Sequence, residues 1–269
     1  MFRRILRTVV VVIASCAAPG PTSAQTGPAS GAGQAGGTPR EVRGQLGASI
    51  NNLGLQTTLE VSWKRPLTTS TNPLLADAHL SAGVVTVMTP ALGRLGGWVE
   101  FAPLSVLTIR AGTEPGAYFG TFNALKSFDA YTEPFDDEAK DAKDRRTGTG
   151  MRSFLTPSVQ FRAGPVVALV SGEFEHWRSS ADGPLFYEPT RDTLLKSGGD
   201  WLLNSTSVAM LQHDYSQGGF ISAGLIHNLT RVFDAPGNQV QRLGVLAIRE
   251  FGTPRLRLPR LRLTATVWR

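Results

Sequence analysis

From Leu53 to Arg65 apolar and polar positions alternate, with Leu53, Leu55, Leu59, Val61 and Trp63 on one parity and Gln56, Thr58, Glu60, Ser62 and Lys64 on the other. Successive side chains of a strand point to opposite faces, so this period of two predicts a strand with one oily and one wet face. It returns at 151–163, where Leu155, Pro157, Val159, Phe161 and Ala163 oppose Arg152, Thr156, Ser158, Gln160 and Arg162. The same sorting predicts strands at 53–65, 76–89, 96–112, 151–163, 165–178, 200–214, 218–232, 240–251 and 260–268, with the pattern weakest at 218–232 and 240–251. No later segment has the ~18 uninterrupted apolar residues of a transmembrane helix.

Parity runs unbroken through Pro103, which favours one long strand over 96–112; the alternative is a tight turn at that proline, because proline removes a ladder donor. Longer polar connections lie at 65–76, 112–151, 178–200 and 232–240, and short ones between them, so long and short loops are expected at opposite ends. The insertion 113–150 combines Tyr118, Phe119, Phe122, Phe128, Tyr131 and Phe135 with a charged run, Asp136 to Arg146. Acids lead bases in that run, which suits a short helix and its dipole. A solvated surface is the expected role, and a lid or partner site the alternative.

Met1–Ala24 reads as an export signal: Arg3, Arg4 and Arg7, then the apolar Val9–Ala18, then small residues, with cleavage expected before Gln25. Alternatively Ile13-Ala14-Ser15-Cys16 serves as a lipoprotein box. Cys16 is the only cysteine, so cleavage at Gln25 would remove disulfides and thiolate chemistry altogether. Residues 25–46 read as a flexible Gly/Ala/Pro-rich leader, and 47–269 as one domain. The net charge of +6 is spread along the chain without a basic stripe, which argues against nucleic-acid binding. Hydrophobic content of 41% and a mean hydropathy of −0.06 are what half-polar strands give.

Long alternating strands with charges on the polar parity, behind an export signal, resemble the bacterial outer-membrane β-barrels of Gram-negative cells. The resemblance implies an all-β, up-and-down antiparallel transmembrane barrel, oily towards lipid and polar towards its lumen, inserted by the barrel-assembly machinery. Glu60, Lys64, Glu100, Arg110, Arg152, Arg162, Glu173, Glu175, Arg260 and Arg262 fall on inward parities. They are expected to neutralise one another in a side-chain-filled interior, since a barrel of about ten strands leaves little space. Nine strands are visible, and such barrels normally have an even number, so the expected design has ten with the chain stopping one strand short. A further strand at 42–50 and the turn at Pro103 are the other ways to an even count.

His79-Leu80-Ser81 puts an imidazole and a hydroxyl on one strand face, a spacing similar to the His-x-Ser of outer-membrane phospholipase A and of the lipid A deacylases. Parity assigns the pair to the lumen. His213-Asp214 invites comparison with the omptin proteases, but adjacent strand residues point to opposite faces. Glu173 and Glu175 share a face, as paired carboxylates do in acid-base work, with no metal or cofactor motif nearby. The expected role is therefore non-enzymatic, structural or surface-interacting. A narrow channel for ions or small anions and a lipid-modifying hydrolase using His79 and Ser81 are the alternatives.

Overall fold

The computed structural model of the protein describes residues 9–18, 40–50, 54–215, 219–235, 237–251 and 260–268, with side chains over 55–215, 219–235 and 237–250. In chain order the elements are β1 (Val9–Ala18), β2 (Arg40–Ile50), β3 (Gly54–Pro66), β4 (His79–Met88), β5 (Leu92–Leu104), β6 (Leu107–Tyr118), β7 (Ser127–Phe128), α1 (Asp137–Asp141), β8 (Gly148–Ala163), β9 (Val166–Ser179), β10 (Leu185–Glu188), β11 (Thr193–Lys196), β12 (Asp200–Asp214), β13 (Gly219–Val232), β14 (Gln239–Phe251) and β15 (Arg260–Trp268). Among the described residues no helix is long and apolar enough to cross a membrane.

The protein is all-β. One antiparallel sheet runs β3-β4-β5-β6-β8-β9-β12-β13-β14. Backbone pairing continues beyond both edges: β2 pairs with β3, β15 with β14, and β1 with both β2 and β15. A smaller sheet has the order β11-β10-β7.

The period of two becomes two chemically distinct faces. Leu59, Val84, Val99, Val159, Val170, Leu225 and Leu243 are about half exposed on the outer face. Ser81, Trp98, Arg152, Glu175, Ser222 and Thr230 are buried on the inner face. The weakly patterned 218–232 and 240–251 obey the same rule. Glycines on the inner face leave room for rings: a Cβ on Gly83 would stand 2.7 Å from Trp98 Cζ2, and one on Gly112 2.7 Å from Phe154 Cζ.

Three expectations need correction. The segment 96–112 is two strands, β5 and β6, turning at Ser105 and Val106 with an irregular register between Phe101 and Leu104. Opposed residues of a hairpin share a face, as Phe101 and Ile109 do, so parity passes through the turn and cannot reveal it. The extra strand reverses the chain once more, and the connection 67–78 lies beside that turn, at the end opposite 119–147. Ser105 N accordingly donates to Leu74 O at 2.8 Å. Long and short connections therefore do not segregate cleanly. Finally, β2 overlaps the segment read as a leader and, with β1 counted, the ladder has twelve strands in place of the expected ten.

At the end where 119–147 and 180–199 emerge, these connections fold into a cap of β7, α1, β10 and β11. α1 follows the sequence logic: the Asp136 carboxylate caps it by accepting from Ala139 N at 2.9 Å, acids fill its first turn and Lys140 its last. Phe186, Leu195 and Leu125 from the cap pack on Leu92, Tyr118, Trp177, Leu202 and Val232 from the ends of the main strands. Burying each such large side chain contributes roughly 1.5–3 kcal/mol, so the cap is seated by an apolar core of its own.

Candidate functional site

Directly beneath that core, strand register sets Glu114 of β6 beside Arg152 of β8, and Arg152 beside Trp177 of β9. Cross-strand neighbours on one face are within side-chain reach. Arg152 Nη1 donates to Glu114 Oε1 at 3.0 Å, and Nη2 donates to Glu173 Oε1 and, at 3.3 Å, to Glu175 Oε1. Trp177 Nε1 donates to Glu175 Oε2 at 2.5 Å. Arg94 of β5 adds a third neighbour, its Nε 3.5 Å from Glu114 Oε2 and its guanidinium 5.3 Å from the Trp177 ring.

Arg191 comes from the cap. The turn between β10 and β11 carries it into the ring of charges, where Nη2 donates to Glu173 Oε2 at 2.6 Å and to Glu175 Oε1. The turn is held by its own polar contacts. Glu188 accepts from Tyr118 OH at 2.5 Å and from Thr190 N at 3.0 Å, while Asp192, at φ +52°, accepts from Arg242 Nη2 at 3.1 Å. Three arginines thus face three carboxylates. The Glu175 side chain is 0% exposed and that of Arg152 7%. Burying such charges is unfavourable unless they are paired, and here each acid has a guanidinium against it.

Towards the other end the same chemistry is wetter. Arg110 Nη2 donates to Glu60 Oε2 at 2.5 Å and its guanidinium lies 3.5 Å from the Trp98 ring centre. Arg162 pairs with Asp214, at 30% and 52% side-chain exposure. Glu100 receives Ser81 Oγ at 3.4 Å and lies 3.1 Å from His79 Nε2.

Of the ten inward charges named from sequence, Glu60 with Arg110, and Arg152 with Glu173 and Glu175, form ion pairs with one another. Glu100 and Arg162 are paired to other groups, and Lys64 pairs with no described carboxylate. The side chains of Arg260 and Arg262 lie outside the described residues, as do the cleavage site at Gln25 and the side chain of Cys16. His79 and Ser81 both address the Glu100 carboxylate and make no mutual hydrogen bond among the described contacts, so the imidazole is not placed to activate the hydroxyl. His213 faces Tyr215 edge-on at 5.6 Å while Asp214 accepts from Arg162, which separates that pair too.

Glu114 and Arg94 escape the sequence reading because it ends one strand at 112 and starts it at 96; extending the same parity reaches both. Arg191 lies where no periodicity exists. The flanking apolar stretches Leu185-Phe186-Tyr187 and Leu194-Leu195 around Pro189-Thr190-Arg191-Asp192 are the signal of its hairpin.

In the cap, burial foremost, with Asp192 beside it, pushes the Tyr187 hydroxyl far above its ordinary range. Burial and the hydrogen bond to Asp200 do the same for Tyr131. Both rings are held neutral. The arrangement neutralises and seals; it places no nucleophile beside a base. The fold and site define an all-β protein with an apolar outer face and an ion-paired inner face. Compared with known proteins, the chain matches no family model, no curated protein and no solved structure.

Proposed function

We propose that this chain is a non-enzymatic outer-membrane β-barrel of a Gram-negative bacterium, with a polar lumen and a folded cap presented for a structural or surface-interaction role. The observation that carries the reading is the inversion of the two faces: half-exposed Leu, Val and Ile line one side of nine strands, while Arg152, Glu114 and Glu175 are buried on the other. A water-soluble sheet would bury the first set and expose the second. Lipid is the solvent in which this distribution is favourable.

The barrel closes in this reading through β1, which stands between β2 and β15. That strand is also the apolar middle of the expected export signal. Retained, it gives a ladder of twelve; removed, it leaves β2 and β15 facing one another across the width of one strand. The mass of the mature protein distinguishes the two.

The test is expression in a Gram-negative host followed by separation of inner and outer membranes on a density gradient. Recovery in the outer-membrane fraction after an alkaline carbonate wash supports the proposal. Recovery in the soluble fraction contradicts it.

A further inference from the structure

Resting on the barrel reading, we infer that the β10–β11 hairpin is a plug, and that its withdrawal opens an ion pathway. The lumen is unequal along its length. Below the ring, Arg110 and Arg162 keep 26% and 30% of their side chains accessible, so water reaches them at the end opposite the cap. At the ring, Glu175 is fully enclosed, and Arg191 on the hairpin tip lies against its carboxylate.

The plug and the wall meet through apolar packing, ion pairs and a hydrogen bond. Phe186 and Leu195 sit in the apolar core above, Arg191 pairs below with Glu173 and Glu175, Asp192 pairs with Arg242, and Glu188 accepts from Tyr118 OH. None of these is covalent, and the hairpin belongs to a connection between β9 and β12, so it can leave without breaking a strand of the main sheet. Its departure takes Arg191 from Glu173 and Glu175 and Asp192 from Arg242, so side chains that were paired to the hairpin are left to line the opening.

The experiment compares three proteins in planar phosphatidylcholine bilayers under a KCl gradient: the full chain, a variant with 185–196 replaced by a short Gly/Ser linker, and Arg191→Gln. The full chain gives no steady conductance. The linker variant gives steady steps, and Arg191→Gln gives brief openings. Insertion is verified separately by protection of the barrel from added protease. A linker variant that inserts but stays silent overturns the plug; Arg191→Gln decides the question by the same readout if the linker variant does not insert. Failure of the full chain itself to insert overturns the barrel reading instead.

Discussion

The two ends of the inner face carry the same chemistry in different solvents. Near the cap, Arg152 sits at 7% exposure among three glutamates; near the short turns, Arg162 and Asp214 form a comparable pair that water reaches freely. An ion pair in water contributes little, because hydration competes with it and salt screens it. An enclosed one has lost that hydration, so removing one partner leaves a buried charge with nothing to replace it. Burial, more than distance, decides which arginine the fold depends on.

The largest effect follows directly. Arg152→Ala removes the guanidinium shared by Glu114, Glu173 and Glu175, leaving Arg94 and Arg191 to face three enclosed carboxylates, and should destabilise the protein by about 3–5 kcal/mol. Arg110→Ala, opposite a partly hydrated Glu60, should cost ~1 kcal/mol or less. Urea unfolding of both variants in detergent micelles checks the pair, and equal losses would erase the distinction between the two ends.

A second comparison sets outer against inner wall. In the proposed barrel, Val159→Lys would place a charge on the lipid face and should cost roughly 2–4 kcal/mol near mid-membrane. Ser158→Lys, one residue away on the polar face, should fold into lipid far more readily. Equal folding yields in phosphatidylcholine vesicles would remove the assignment of faces.

The cap adds a pH dependence of smaller size. Burial raises the pKa of Tyr131 and Tyr187 in the folded state above the ordinary value of 10.0. Their contribution is complete below that value and is lost as pH rises past it, because the unfolded rings ionise while the folded ones stay protonated. Hydrogen exchange over the cap strands should accelerate above pH ~10, while the central strands β8 and β9 stay protected. In Tyr187→Phe the alkaline acceleration should be weaker. The smallest effect is at the wet end, where Arg162→Ala should cost about 0–1 kcal/mol and show salt dependence before substitution but none after.

How much of this was legible in the chain depends on what each feature rests upon. The faces of β3, β8 and β9 are periodic, and periodicity placed Glu173, Glu175 and Arg152 on one side before any contact was known. The hairpin at Ser105 and Val106 left no mark on the parity, which runs through the turn, and only the nearby Pro103 pointed to it as the alternative. β2 was legible only as the alternative strand at 42–50, because Arg40–Ile50 has Gly44 and Gly47 where its neighbours carry side chains, and pairing with β3 is not a local signal. The cap was illegible for another reason. Its stability comes from contacts between residues far apart in sequence, such as Tyr118 with Glu188 and Tyr118 with Phe186, and no local pattern encodes these.

The tryptophans offer the most direct test of the central claim, that one face of the sheet meets lipid and the other encloses charge. Trp63 and Trp201 are 41% and 53% exposed on the outer face; Trp98 and Trp177 are 6% and 1% exposed on the inner one. Four single-tryptophan proteins would be folded into vesicles whose acyl chains carry bromine, a contact quencher of indole fluorescence. The account expects strong quenching of Trp63 and Trp201 and little or none of Trp98 and Trp177. Quenching of Trp98 or Trp177 as strong as that of Trp201, or of none of the four, would contradict it.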